Sequence, residues 1–209
     1  MASQDPYRAV EPRGATALYG EDPDVKLMLA FQNGDEGAFE TLFAKYSRPL
    51  VNFANRLLGN RERAEEVAQE VFLEVHRARK TYLPQAKLST WIYRISTNRC
   101  LNELRRPERR IMAADGGETE GEEGIISGPE PVDLGPDALQ RLEAERLQDA
   151  ITGAVANLPE QQRTALVLCR YHAMAYREIA EAMETTESAV KSLIHRATVS
   201  LRDRLKSYL

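Results

Sequence analysis

The sequence of 209 residues contains little that could anchor it in a membrane or build a disulfide framework. Its longest apolar runs, Leu27 to Phe31 and Ala165 to Cys169, span five residues each, whereas a membrane-crossing helix needs about 20. The acidic N-terminus has no apolar core of the signal-peptide kind, so we expect a cytoplasmic protein. Cys100 and Cys169 stand far apart and outside any CxxC motif, which argues against a zinc site or a disulfide framework.

Recognisable catalytic motifs are also missing. The sequence has no Gly-rich phosphate loop, no GxSxG and no HExxH, and its three histidines, His76, His172 and His195, are scattered along the chain. A group of glutamates in residues 61–79 lacks the matching Glu and His on a neighbouring helix that helix-bundle metal sites need. We therefore predict that the chain is not an enzyme and that it holds no metal and no cofactor.

Charge is unevenly distributed, although the net charge is only −4. Residues 109–138 carry eight acidic and two basic side chains, whereas residues 77–110 carry ten basic and two acidic ones. A basic segment of this density is typical of a surface that binds phosphate. The alternative is an ordinary solvated helix face.

Hydrophobic periodicity predicts an all-α protein. Apolar residues recur at spacings of three and four, and no segment alternates apolar and polar residues over the length of a strand. Residues 109–138 are rich in Gly, Pro and Glu and bury too little apolar surface to offset their ordering entropy. We predict two small helical domains, residues 23–108 and 139–209, joined by a flexible acidic linker, residues 109–138, and preceded by a disordered extension, residues 1–22.

One predicted helix, which should be capped by Ser89 and end before Pro107, carries side chains suited to nucleic acid. At 100° per residue, an indole, two amides and two guanidiniums share one stripe: Trp91, Arg94, Asn98, Asn102 and Arg105. Amides can hydrogen-bond the edges of unstacked bases, an indole can abut a base, and arginines can hold phosphates. The alternative is that Trp91 packs into the core while both amides are merely solvated.

The C-terminal segment is a helix-turn-helix candidate. A short helix with the sequence YREIAEAM is followed by a tight connection at Glu184 and Thr185 and by Thr186, which can cap a longer helix. One side of that longer helix presents Lys191, Ser192, His195 and Arg196, and short polar and basic groups near a helix N-terminus suit the major groove of DNA. A structural helical pair in a bundle is the alternative.

Five sequence blocks in a fixed order carry a family resemblance: GDEGAFETLFAKY, AEEVAQEVFLEVHRAR, LSTWIYRISTNRCLNELRR, LPEQQRTALVLCRY and YREIAEAMETTESAVKSLIHRA. With these blocks the chain resembles a bacterial extracytoplasmic function (ECF) sigma factor of the sigma-70 family, residues 24–108 resembling region 2 and residues 139–209 region 4. The resemblance implies a dissociable subunit that binds core RNA polymerase and directs promoter recognition, DNA melting and transcription initiation. It also implies control by an anti-sigma factor.

The resemblance further implies roles for particular residues. Contact with the clamp coiled coil of the largest polymerase subunit would fall on Glu66, Gln69, Glu70 and Leu73. Reading of the −10 element would fall on Trp91, Arg94, Asn98, Arg99, Asn102, Arg105 and Arg106, with Tyr82 and Lys87 in a loop that embraces a flipped-out base. Reading of the −35 element would fall on Thr186, Ser188, Lys191, Ser192, His195 and Arg196. The chain departs from the family pattern at Leu193 and Thr198, where Arg is common, and at Glu184, where Gly is frequent.

Two other classes of protein remain open at this point. A helix-turn-helix repressor or activator would bind duplex DNA as a dimer, and a helical scaffold would bind protein only. A repressor has no need for a strand-reading stripe far upstream of its helix-turn-helix, and a scaffold needs neither feature. Reconstituted transcription with core polymerase would separate these classes from an initiation factor.

Overall fold

The computed structural model describes residues 19–106 and 136–208, and every regular element in these ranges is helical, as predicted. The first half comprises α1 (Pro23–Gln32), α2 (Glu36–Leu58), α3 (Arg61–Ala78) and α4 (Leu88–Leu104). The second half comprises α5 (Pro136–Ala156), α6 (Glu160–Tyr171), α7 (Tyr176–Ala182) and α8 (Glu187–Arg204), followed by a 3₁₀ turn (Lys206–Tyr208). Nearly all of the predicted N-terminal extension and acidic linker lies outside the described residues.

Short polar side chains cap the N-termini of α1, α2, α3 and α8. Asp22 accepts hydrogen bonds from the first amides of α1, Asn60 accepts one from Arg63, and Thr186 accepts one from Ala189, which confirms the cap predicted at Thr186. Ser89 is not a cap, because α4 begins one residue earlier at Leu88, which is fully buried. Packing of that leucine therefore moves the start of the helix away from the residue with the best capping chemistry.

The first half packs around the apolar faces of α2 and α3. These two helices are joined through Gly59, whose φ of +65° gives the left-handed turn that ends α2. Phe31 of α1 stacks on Phe39 of α2 with ring centroids 4.7 Å apart, and Phe53 of α2 meets Tyr93 of α4 edge-on at 5.3 Å. Helix α4 therefore crosses the bundle with one side buried against α2 and α3.

The second half is a smaller helical unit that contains the predicted helix-turn-helix. Helices α6, α7 and α8 pack on one another around Leu168, Ile179 and Val190, all of which are fully buried. Glu184, in the turn between α7 and α8, has a φ of +52°, a left-handed conformation that is strained for a residue with a Cβ.

The two halves share one hydrophobic core. Helix α4 of the first half packs against α7 of the second, and α2 packs against α6. The sequence predicted the two halves but not this contact between them. Among residues 19–106 and 136–208, no helix has the length and apolarity that a membrane span requires.

Candidate nucleic-acid and polymerase interfaces

The stripe predicted on α4 is open to solvent along its C-terminal half. Asn102 and Arg105 are exposed, while Arg94 and Asn98 are partly buried. Trp91 is partly buried. One side of its indole packs on the core, against the ring of Tyr82, with ring centroids 5.2 Å apart. The structure thus places an aromatic, two amides and two guanidiniums along one face, with the indole held in a fixed position.

Two further arginines predicted for this surface are engaged in ion pairs. The guanidinium of Arg99 lies 3.2 Å from a carboxylate oxygen of Glu70 and 2.5 Å from one of Glu74, both on α3. Arg106 pairs with Glu103 at 3.0 Å. Because part of the basic charge is compensated within the protein, the count of ten basic side chains overstates what this surface offers to phosphate.

The loop between α3 and α4 differs in detail from its prediction. Tyr82, predicted as a DNA contact, has a side chain only 5% exposed, and burial raises the pKa of its hydroxyl well above its usual value. In this conformation Tyr82 therefore supports Trp91 and does not present its ring to DNA. Leu83, which sequence analysis did not select, is 51% exposed and is the apolar group that this loop offers to a partner.

Lys87, at the end of the same loop, contacts the second half of the protein. Its Nζ lies 2.7 Å from Oε1 of Glu178 on α7, and this hydrogen bond raises the pKa of the lysine. Burial opposes ionisation of Glu178, but its hydrogen bonds with Lys87 and with the amide of Ala175 outweigh burial and lower its pKa. Sequence analysis gave no sign of this pairing, because the two residues are far apart in the chain.

Helix α8 presents all the side chains predicted for the −35 element on its solvent side. These exposed residues are Thr186, Ser188, Lys191, Ser192, His195 and Arg196. Val190, Ile194 and Ala197 are buried on the opposite side, which fixes the orientation of the helix on α6 and α7. A helix held in this way can enter a DNA groove without disturbing the core beneath it.

The four residues predicted to contact polymerase are exposed on α3: Glu66, Gln69, Glu70 and Leu73. Leu73 is 54% exposed, and Phe43 of the neighbouring helix α2 is a second exposed apolar side chain, packed at its ring on Phe72. Exposed apolar groups bordered by carboxylates are suited to a basic protein surface with an apolar centre. Phe43 was not predicted, although its place in the periodic pattern of α2 could have revealed it.

No metal site is formed by His, Cys, Asp or Glu side chains in the part of the chain that the structure describes. Cys100 is fully buried, and burial raises the pKa of its thiol to about 12, so this group has little thiolate character.

Comparison with known proteins identifies the two halves. The family model for sigma-70 region 2 matches residues 42–110, and the model for sigma-70 region 4 matches residues 148–201. The ECF RNA polymerase sigma factor SigW of Bacillus subtilis is 31% identical over 84% of this chain and 92% of its own length. The RNA polymerase sigma-H factor of Pseudomonas aeruginosa is 29% identical over 90% of this chain and 97% of its own.

Solved structures share the fold. CnrH, in complex with the cytosolic domain of CnrY, is 20% identical and superposes with a TM-score of 0.62 over 88% of this chain and 97% of its own. The sigma factor RpoE of Bartonella quintana, in complex with the anti-sigma factor NepR, is 21% identical with a TM-score of 0.59 over 80% and 96%.

Regions 2 and 4 in this order define the chain as an RNA polymerase sigma factor, a transcription initiation factor and not an enzyme. The chain belongs to the ECF group of the sigma-70 family, as its similarity to SigW over nearly the whole of both proteins shows. The repressor and scaffold hypotheses are thereby set aside.

Proposed function

We propose that α4 and the preceding loop read an opened −10 element and that α8 reads the −35 element as duplex. The amides of α4, exposed at Asn102 and partly exposed at Asn98, lie beside an indole that the core fixes in place, and they carry this proposal. They can reach the edges of unstacked bases, while the solvent side of α8 matches a major groove. Residues 23–108 and 139–209 are then the −10 and −35 domains.

The exposed face of α3 is the proposed docking site for the clamp coiled coil of core polymerase. Leu73 supplies an apolar contact, and Glu66, Gln69 and Glu70 supply polar groups around it. The chain acts in the cytoplasm, where the polymerase is. Because the related RpoE was solved with an anti-sigma factor, we include an anti-sigma partner in the proposal.

The test is promoter-dependent initiation by the chain reconstituted with core polymerase. The double variant Asn98→Ala, Asn102→Ala should impair strand opening or −10 selectivity while leaving core binding intact. Exposed glutamines elsewhere provide the control, since Gln148→Ala with Gln161→Ala should leave opening unchanged. If both double variants opened the promoter equally well and with the same selectivity, the amides of α4 would have no role in reading the −10 element.

The two remaining interfaces have their own variants. Lys191→Ala and Arg196→Ala should each weaken −35 binding by about 1–3 kcal/mol if the contact is to a base, whereas Arg202→Ala near the end of α8 should have little effect. Leu73→Asp should weaken binding to core polymerase in a competition assay, with Glu62→Ala on the same helix as the control. Unchanged core binding by Leu73→Asp would exclude this face of α3.

A further inference from the structure

Charged side chains join α3, the proposed docking helix for polymerase, to α4, the proposed strand-reading helix. The guanidinium of Arg99 on α4 lies 2.5 Å from a carboxylate oxygen of Glu74 and 3.2 Å from one of Glu70, both on α3. Further along α4, Glu103 lies 3.9 Å from Arg63 of α3. The family resemblance assigns Glu70 to polymerase and Arg99 to DNA, yet in this structure the two side chains contact each other.

The two carboxylates that hold Arg99 differ in their exposure to solvent. The side chain of Glu74 is only 17% exposed, whereas that of Glu70 is 51% exposed. A partly buried ion pair is screened less by salt and water than a surface pair. Glu74 is therefore the anchor of the guanidinium, and Glu70 can turn to another partner while Arg99 keeps its bond to Glu74.

Arg99 lies on the flank of the strand-reading stripe, close to both of its amides. At 100° per residue, Asn102 lies about 60° around α4 from Arg99, and Asn98 lies about 100° away in the same direction. Both amides are within one helical turn of the arginine along the chain. Any rotation of this part of α4 against α3 would therefore move the amides and strain the bond between Arg99 and Glu74.

A small rotation of α4 is enough to spoil reading by hydrogen bonds. Side chains extend about 5–6 Å from a helix axis, so a rotation of about 10° moves a side-chain group by about 1 Å. Donor–acceptor distances in protein hydrogen bonds vary by only about 0.5 Å. The last two turns of α4 carry both amides, and in these turns Arg99 and Glu103 reach across to α3. A directed ion pair at this place can hold the amides within the tolerance that base reading requires.

The role in DNA binding that the resemblance implies for Arg99 carries a cost. To hold a phosphate, the guanidinium would have to leave a carboxylate that is mostly buried, and an unpaired charge in such a place is unfavourable. Arg105 lies on the stripe itself and is exposed, so it can approach a phosphate without breaking a contact to α3. The geometry thus favours a different role for Arg99.

We propose that Arg99 is a positioning residue for reading of the −10 element. Its bond to Glu74 fixes the rotation of α4 on α3 and thereby directs the amides of Asn98 and Asn102 at the bases, and Arg99 does not itself bind the strand. This proposal rests on the function proposed above, and it replaces the direct DNA contact that the resemblance implied for this arginine.

The test uses holoenzyme reconstituted with Glu74→Ala, with Arg99→Ala or with both substitutions. Affinity is measured for a labelled non-template strand that covers the −10 element of a promoter from which the unmodified holoenzyme initiates, and for the same strand with the element scrambled. The readout is the ratio of the two affinities, because a smaller folded fraction lowers both affinities equally. Glu65→Ala is the matched control, since this exposed glutamate of α3 pairs with Arg61 of the same helix at 3.0 Å.

Each single variant should lower the affinity ratio by about fivefold or more, which is the low end of the discrimination that one base-edge contact provides. The double variant should lower the ratio no further, because all three variants break the same ion pair. Affinity for the scrambled strand and its dependence on salt should stay unchanged, and Glu65→Ala should keep the ratio of the unmodified holoenzyme.

A phosphate contact by Arg99 would give a different pattern. Arg99→Ala would then weaken binding of both strands alike and reduce the salt slope by about 0.7, whereas Glu74→Ala would release the guanidinium and strengthen both. That pattern, or an unchanged ratio in Glu74→Ala, would overturn the positioning role. If the unmodified holoenzyme itself showed no preference for the −10 strand, the proposed function would fail instead, so the two failures are distinguishable.

Discussion

Mild acid should lower the free energy of unfolding of the protein through His172. Burial, together with the nearby positive charge of Arg56, lowers the pKa of this imidazole from 6.5 to about 4. The groups that face it are Arg56 and Phe53 from α2 and Tyr93 from α4, and Lys45, whose charge Asp24 offsets, lines a cleft that His172 also lines. No carboxylate is among these groups, so none of them offsets the positive charge of an imidazolium.

The direction of this pH effect follows from the protonation state of His172 in the folded and in the unfolded chain. Above pH 6.5 the imidazole is neutral in both the folded and the unfolded chain, and His172 contributes no pH dependence. As the pH falls from 6.5 towards 4, the unfolded chain binds a proton that the folded protein does not, so the free energy of unfolding decreases. With pKa values of 6.5 and about 4, the loss between pH 7 and pH 5 is about 2 kcal/mol.

Urea unfolding at pH 7, 6 and 5 measures this loss, and the single tryptophan, Trp91, reports on α4 by its fluorescence. In His172→Gln the loss over this range should fall below about 0.5 kcal/mol, because glutamine can hydrogen-bond to Tyr93 without titrating. His195→Gln, at an exposed position on α8, should behave as the unmodified chain does. Equal losses in the unmodified chain and in His172→Gln would refute the reasoning.

Three further predictions concern stability. Glu184→Gly should raise the free energy of unfolding by about 0.5–1 kcal/mol in thermal denaturation, since glycine relieves the left-handed strain but adds unfolded-state entropy; a decrease would contradict this. Thr186→Ala should cost about 1 kcal/mol and speed amide exchange in the first turn of α8, while Thr185→Ala should not. Asp24→Ala and Tyr46→Phe should show a coupling of about 1–3 kcal/mol in a double-mutant cycle, because the buried carboxylate accepts from the tyrosine hydroxyl and from Lys45; additive losses would argue against that bond.

The charge pattern shows what a sequence count can and cannot provide. The basic segment from residue 77 to residue 110 is real, but Arg99 and Arg106 are paired with glutamates, and Lys87 is paired with Glu178 of the second half. Pairing depends on which side chains meet in space. A count along the chain gives the number of charged side chains, but it does not show which of them are available to bind a ligand.

The stripe on α4 shows a similar limit on what the sequence can predict, in this case about which side chains are buried. The periodicity placed Trp91, Asn98 and Asn102 on one face, and the structure agrees. Periodicity could not show that Tyr82 would be buried beneath the indole or that Leu83 would be exposed, because both residues lie in a loop that has no periodic pattern. The start of α4 at Leu88 was missed for a related reason, since burial of that leucine outweighed the capping preference of Ser89.

Local chemistry in the sequence determined the helices, some of their caps, the division into two halves and the family to which the chain belongs. These properties depend on spacings of three and four residues, on short polar caps and on motif order, all of which act over a few neighbouring positions. Only the tertiary structure decided that α7 lies on α4 and that His172 meets Tyr93. These contacts join residues far apart in the chain, and their existence depends on how two packed surfaces fit together, which no local pattern encodes.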